Sequence, residues 1–178
     1  METKSASNKK NTRMFRKLSS REKTIALVIL AALLVGAWLP ARIIVSTSQS
    51  LQHRVFFLVP VQIKKIKPGD YLVFRHDDTT FVNRGLNPEN DRLIKRVGCS
   101  PGQILTADTD RLFSCNKQEL GKALDEDSQE RSLPQFEFSG EVPEDNFFMI
   151  GSDPRSFDSR YFGFVHADDI LYKALPLW

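Results

Sequence analysis

Hydrophobic and polar positions divide the chain into three regimes. Residues 1–23 are polar and basic with no apolar periodicity, which predicts a disordered tail. From Thr24 to Leu39 the chain is almost continuously apolar, and no charge falls in the 18 residues between Lys23 and Arg42. Continuing through Ile43-Ile44-Val45 gives 22 residues, with Arg42 near the end, where its long side chain can reach an interface. About 20 residues cross the hydrocarbon of a bilayer. Residues 24–45 are therefore expected to form a transmembrane anchor, broken or kinked at Pro40, with Trp38 in the outer interfacial belt. A cleavable secretory signal is the competing reading, although Pro40-Ala41-Arg42-Ile43 makes a poor cleavage site.

Beyond residue 45 the pattern changes to short apolar runs separated by turn residues. Val55-Phe56-Phe57-Leu58-Val59 reads as a buried strand. Lys67-Pro68-Gly69-Asp70 is turn chemistry that launches a β-branched and aromatic strand, Tyr71 to Arg75. His76 to Asn90 is polar and expected to be a loop. Arg92 to Gly98 reads as a strand, ended by the turn Cys99-Ser100-Pro101-Gly102. Gln103–Thr106 and Arg111–Cys115 look like a hairpin pair. The acidic stretch from Lys117 to Pro134 is expected to be a surface-loop insertion. Phe147–Ile150 and Asp169–Tyr172 are closing strands around Gly151–Gly163. No internal repeat is visible. The fold expected for residues 46–178 is a mainly antiparallel β domain.

Charge changes the picture at the amino terminus. The net charge of +3 hides eight basic against two acidic side chains in residues 1–23, a local +6 that leaves about −3 for the rest. A uniformly basic nucleic-acid binder would not divide its charge this way, so no nucleic-acid partner is expected. A basic leader before an apolar run is the positive-inside pattern. It predicts a cytoplasmic tail over 1–23, the anchor over 24–45, and the domain 46–178 across the membrane. Cys99 and Cys115 suit an oxidising compartment, where pairing would contribute up to about 3 kcal/mol. The alternative is two unrelated buried thiols.

The candidate chemistry is narrow. His53, His76 and His166 are scattered without metal-ligand spacing, no glycine loop cradles a phosphate, and neither metal nor cofactor is expected. A Ser–His–Asp triad using His53 or His166 lacks a nucleophile-elbow motif. A serine–lysine pair has a definite requirement: a hydroxyl needs a base, and a lysine of ordinary pKa is neutral in only about one molecule in a thousand at pH 7.5. Burial lowers that pKa by up to several units. Lys95, flanked by Leu93, Ile94 and Val97, could be desolvated on a sheet's inner face. The bland readings are a solvent-facing strand lysine and, for Ser50, an ordinary turn or capping serine.

Four segments together resemble the type I signal peptidases, and more closely their short conjugation-system branch, the TraF-type pilin-processing peptidases. Ser48-Gln49-Ser50-Leu51 is similar to the Ser-x-Ser-Met segment after the family's anchor, though Gln52 and Arg54 stand where the branch usually has proline and glycine. Pro68-Gly69-Asp70-Tyr71-Leu72-Val73-Phe74 is like its Gly-Asp-hydrophobic strand. Leu93-Ile94-Lys95-Arg96-Val97-Gly98-Cys99-Ser100-Pro101-Gly102 looks like its Ile-Lys-Arg-Val-x-Gly-x-Pro-Gly box. Gly151 to Gly163 resembles its Gly-Asp-x-x-x-Ser-x-Asp-Ser-Arg-x-x-Gly box. The four occur in family order along residues 24–173.

The resemblance implies Ser50 as nucleophile and Lys95 as general base. It implies an oxyanion hole from Ser48 and the Ser50 backbone N–H, Ser156 orienting the lysine amine, and Asp158 and Arg160 with Arg96 bracing the lysine strand. Asp153 is a further supporting residue. It also implies a bacterial inner-membrane enzyme with a periplasmic catalytic domain, acting on an exported, pilin-like precursor. Membrane lipid is the partner expected of the anchor, and the resemblance implies other conjugation-apparatus proteins as further candidates. Hydrolysis and cyclisation of the pilin are both open outcomes. Two alternatives stand beside it: a non-enzymatic bitopic component of a pilus or secretion assembly, and a housekeeping preprotein peptidase. Against the latter, the chain's length leaves little room for a second β subdomain beyond 117–134.

Overall fold

The structure, a computed structural model, describes residues 19–46, 50–76 and 92–178. The expected tail over 1–18, the loop over 77–90 and Ser48 lie outside the described residues. The chain divides into two compact units, Met1–Pro40 and Ala41–Trp178.

The first unit is helix α1, Ser20–Trp38. Ser19 and Glu22 form a reciprocal capping box: Ser19 Oγ accepts from the Glu22 N–H, and Glu22 Oε2 accepts from the Ser19 N–H at 2.7 Å. No α1 residue is buried, and Ile25, Leu27, Val28, Ile29, Leu30, Leu33, Leu34 and Val35 are all exposed. Arg21, Glu22 and Lys23 occupy the first turn, which leaves Thr24 to Trp38 as the apolar part. Among the described residues no helix is long and apolar enough to cross a membrane. Nor does the apolar run continue as one element to Val45. A 3₁₀ turn occupies Pro40–Arg42, and Ile43–Val45 form strand β1. The physical reason lies in Pro40, which cannot continue α-helical hydrogen bonding, and in the β-branched triplet that follows it.

The second unit is built from antiparallel sheet. Its further strands are β2 (Val55–Val59), β3 (Tyr71–Arg75), β4 (Arg92–Cys99), β5 (Ile104–Ala107), β6 (Leu112–Cys115), β7 (Gln118–Lys122), β8 (Gly140–Glu141), β9 (Asn146–Ile150), β10 (Val165–His166) and β11 (Ile170–Pro176). A short helix, α2, spans Ser159–Phe162. Seven strands order as β1-β2-β11-β3-β4-β9-β10 and four as β7-β6-β5-β8. Phe56 and Leu58 face inward from β2 toward Leu51, Tyr71 and Val73, while Val55, Phe57 and Val59 are only half-buried on its other face. Leu72, Phe74, Val97, Phe147 and Met149 form a second cluster, and Leu105, Phe113 and Phe148 anchor a third beneath the smaller sheet.

The acidic stretch 117–134 is not a loop throughout. Its first residues form β7, joined to β6 by the two-residue turn Asn116-Lys117, both at positive φ (47° and 71°), as right-twisted hairpins favour. The remainder is irregular and carries an isolated bridge between Glu126 and Ser132. The smaller sheet draws on residues from Ile104 to Glu141, so a second β layer is present despite the modest chain length. Cys99 at the end of β4 and Cys115 at the end of β6 form a disulfide that ties the two sheets together.

Candidate active site

Lys95 sits on β4, between β3 and β9 in the interior of the larger sheet, in register with Leu72. Strand alternation puts Leu93, Lys95 and Val97 on one face, where Leu93 and Val97 pack with Leu72 and Met149. Lys95 is only 4% exposed. Burial drives its amine down from 10.5 to about 8, against the opposing pull of the Asp158 carboxylate, with Arg160 lowering it further and Asp153 raising it. Its Nζ donates to Ser156 Oγ at 2.7 Å. At pH 7.5 about a quarter of such amines are neutral, against roughly one in a thousand for an ordinary lysine.

The end of β9 explains how Ser156 gets there. A Cβ on Gly151 would lie 2.0 Å from Ser156 Oγ and 2.9 Å from the Ser50 carbonyl oxygen. The missing side chain is the space in which these two groups meet. The half-buried Ser50 is held to this turn through its carbonyl, which accepts from the backbone N–H groups of Ser152 at 2.8 Å and Asp153 at 3.4 Å. Asp153 closes the turn, its carbonyl accepting from the Ser156 N–H and its Oδ1 from the Arg155 N–H. Ser50, Lys95 and Ser156 thus converge around Gly151.

Behind them lies an ion pair removed from water. Asp158 is 0% and Arg160 2% exposed, and their two parallel bonds, Nε to Oδ1 and Nη2 to Oδ2, are both 2.8 Å. Such a pair is tolerable only when the remaining donors and acceptors are met. Arg160 also donates to the carbonyls of Ser156 (3.0 Å), Pro154 (3.3 Å) and Lys122 (2.7 Å), so all five guanidinium N–H groups have acceptors. Asp158 Oδ2 accepts from the Gly151 N–H at 2.8 Å, and its Oδ1 caps α2 at the Arg160 N–H. Ser159 Oγ accepts from the Met149 N–H at 2.8 Å. One carboxylate therefore fixes the glycine beside the lysine, and one guanidinium fixes the carbonyl of its serine partner.

The expected residues divide accordingly. Ser50, Lys95, Asp153, Ser156, Asp158 and Arg160 lie in one connected network. Arg96 does not join it: alternation turns its side chain to the face opposite Lys95, in register with Tyr71 and Ile150. Ser48 lies outside the described residues. His53 packs edge-on against Phe56 and Tyr71, and His166 Nδ1 accepts from the Asp168 N–H in a 3₁₀ turn. Gly151 and Ser159 are the positions that sequence reasoning passed over. Both stand inside the Gly151–Gly163 box, but neither carries an ionisable side chain that would mark it in the sequence.

The family model described as "Signal peptidase, peptidase S26" matches residues 19–178. The chain belongs to this family. The match takes in α1 as well as the β unit. None of the curated proteins matches the chain. Members of the S26 family are serine endopeptidases, and a signal peptidase acts on secreted precursors. Signal-peptidase-like function is thereby supported for this chain.

Proposed function

We propose that this S26 signal peptidase is a membrane-anchored serine–lysine endopeptidase that matures a conjugative pilin or another exported precursor. The observation that carries the reading is the Lys95 amine, buried, held at about 8 and bonded to Ser156 beside the Gly151 turn that grips Ser50. A neutral Lys95 takes the Ser50 hydroxyl proton as the oxygen attacks the scissile carbonyl. The resulting ammonium gives that proton to the leaving amine as the C–N bond breaks, leaving an ester on Ser50. Water activated by Lys95 then cleaves the ester and releases the carboxylate. If the pilin's own neutral amino terminus takes the place of water, the product is a cyclic chain. The Ser50 N–H and Ser48 are the proposed oxyanion donors, each worth about 2.7–4 kcal/mol in the transition state.

The proposed topology has a cytoplasmic tail, residues 24–39 within the inner membrane and the β unit in the periplasm. Its support is the +6 leader and the Thr24–Trp38 part of α1, which carries no charge on any face. The half-buried outer face of β2 and the exposed Ile43, Val45, Leu175, Leu177 and Trp178 suit a lipid neighbour.

Ser50→Ala and Lys95→Ala, each expressed with the candidate pilin precursor, should leave that precursor uncut. Normal maturation in either variant overturns the serine–lysine reading. Intact mass then separates the outcomes, a cyclic product being one water lighter than a linear one. The four-stranded sheet favours a second reading, a housekeeping preprotein peptidase, because it removes the argument from limited length. Cleavage of many unrelated precursors, with the pilin precursor untouched, would select it.

A further inference from the structure

Four of the five acceptor contacts around the Arg160 guanidinium come from the segment between Pro154 and Asp158. The fifth comes from elsewhere. It is the carbonyl of Lys122, at the end of β7 in the smaller sheet, 38 residues away along the chain and the shortest of the set at 2.7 Å. The approach is made possible by Gly121, whose φ is +138° and whose Cβ, were there one, would sit 3.3 Å from Arg160 Nη1. The β7–β6 register slips at this point: Gly121 faces Phe113 and Glu119 faces Ser114, which leaves Leu120 as the extra residue of a bulge. Leu120 in turn packs over Gly98 of the lysine strand, its Cδ1 lying 3.2 Å from where a Cβ there would be. The next residues continue the docking, since the Leu124 N–H is accepted by Tyr161 Oη at 3.0 Å on α2.

We propose that the bulged end of β7, Leu120-Gly121-Lys122, is a positioning element for the catalytic amine, setting Lys95 through Arg160 and Ser156. The inference rests on Lys95 being the base. The chain of contacts is continuous: the Lys122 carbonyl holds one edge of the guanidinium, whose opposite edge holds the Ser156 carbonyl and the Asp158 carboxylate. Asp158 fixes the Gly151 N–H, and Ser156 receives the lysine N–H. Displacing the guanidinium would leave the Asp158 charge less compensated and the amine less enclosed. Both changes favour the ammonium form. The smaller sheet is then part of the active site's support, acting through the Lys122 carbonyl.

The test titrates the Lys95 amine directly, by NMR of full-length protein carrying ¹³Cε-labelled lysine in detergent micelles, with Lys95→Met identifying the signal. Gly121→Ala should raise the titration midpoint by about half a unit or more, and activity should fall most below that midpoint, recovering toward pH 9. Glu119→Ala, at an exposed position on the same strand, should leave the midpoint unchanged. An unmoved midpoint in folded Gly121→Ala overturns the inference, as does an equal loss of activity at every pH. If that variant does not fold, Leu120→Ala replaces it, with the same two outcomes. Failure of the underlying reading is seen separately, as cleavage by Lys95→Ala.

Discussion

At the scale of single residues, the site depends on two departures from ordinary chemistry: a lysine with almost no water and a strand end with no side chain. The folded state holds Lys95 at about 8 while the unfolded chain holds it near 10.5, so between those values the unfolded chain binds more protons. Stability therefore rises with pH across that window, by on the order of 3 kcal/mol from this group, and below pH 8 the full penalty of a buried charge applies. Lys95→Met removes the penalty and leaves the Ser156 hydroxyl without its partner, a loss of about 1 kcal/mol. The variant should be inactive yet melt higher than the parent at pH 6–7, with the gap closing toward pH 10. Activity of the parent should climb about tenfold per pH unit below 8 and flatten above it. Gly151→Ala carries the opposite signature. Its methyl would overlap Ser156 Oγ and crowd the Ser50 carbonyl, so activity should fall at least a hundredfold, with a loss of roughly 2 kcal/mol of stability. Thermal melts beside a cleavage assay separate the two cases.

At the scale of elements, the question is which strands announce themselves. β2, β3 and β9 are legible because each is rich in β-branched or aromatic residues and bounded by turn chemistry, and β4 because Leu93, Ile94 and Val97 lead into the Cys99–Gly102 turn. β7 is not: Gln118-Glu119-Leu120-Gly121-Lys122 has a single large apolar residue, and its strand character comes from the tight Asn116-Lys117 turn and its pairing with β6. The face of Lys95 was equally hidden. Leu93 and Val97 flank it on one side of the strand and Ile94 lies on the other, so apolar neighbours alone leave both orientations open. What decides it is the register with Leu72 and the arrival of Ser156 from a segment 61 residues away. Asp158 and Arg160, two residues apart, read equally well as an exposed turn pair, and their burial depends on the Lys122 carbonyl of the other sheet. The Cys99–Cys115 bond reinforces that junction. Replacing both cysteines by alanine should cost about 3 kcal/mol, seen as a lower melting temperature.

At the scale of the whole molecule, the two units make different demands on their surroundings. The β unit buries Phe56, Phe74, Phe113 and Phe148 within its own clusters, whereas α1 buries none of its residues. Thr24 to Trp38 is 15 residues, about 22 Å of helix, less than the roughly 30 Å of bilayer hydrocarbon. On the proposed topology the shortfall falls at both ends. Arg21, Glu22 and Lys23 remain among the headgroups, and Leu39 with the Pro40–Arg42 turn extends the apolar path before the chain enters β1. So short a segment has little insertion energy to spare. A charge at its centre, Leu30→Arg, adds about 2.5–3.5 kcal/mol to insertion, enough to move most of the protein out of the membrane pellet after carbonate extraction. Because Leu30 takes no part in the clusters of the β unit, the disulfide and the thermal transition of that unit should be unchanged in material recovered from an oxidising compartment. Maturation of a membrane-presented precursor should fall with the pelleted fraction, while cleavage of a short soluble peptide should not. If Leu30→Arg stays in the pellet and protected from added protease, residues 24–39 are not what holds the enzyme to the membrane.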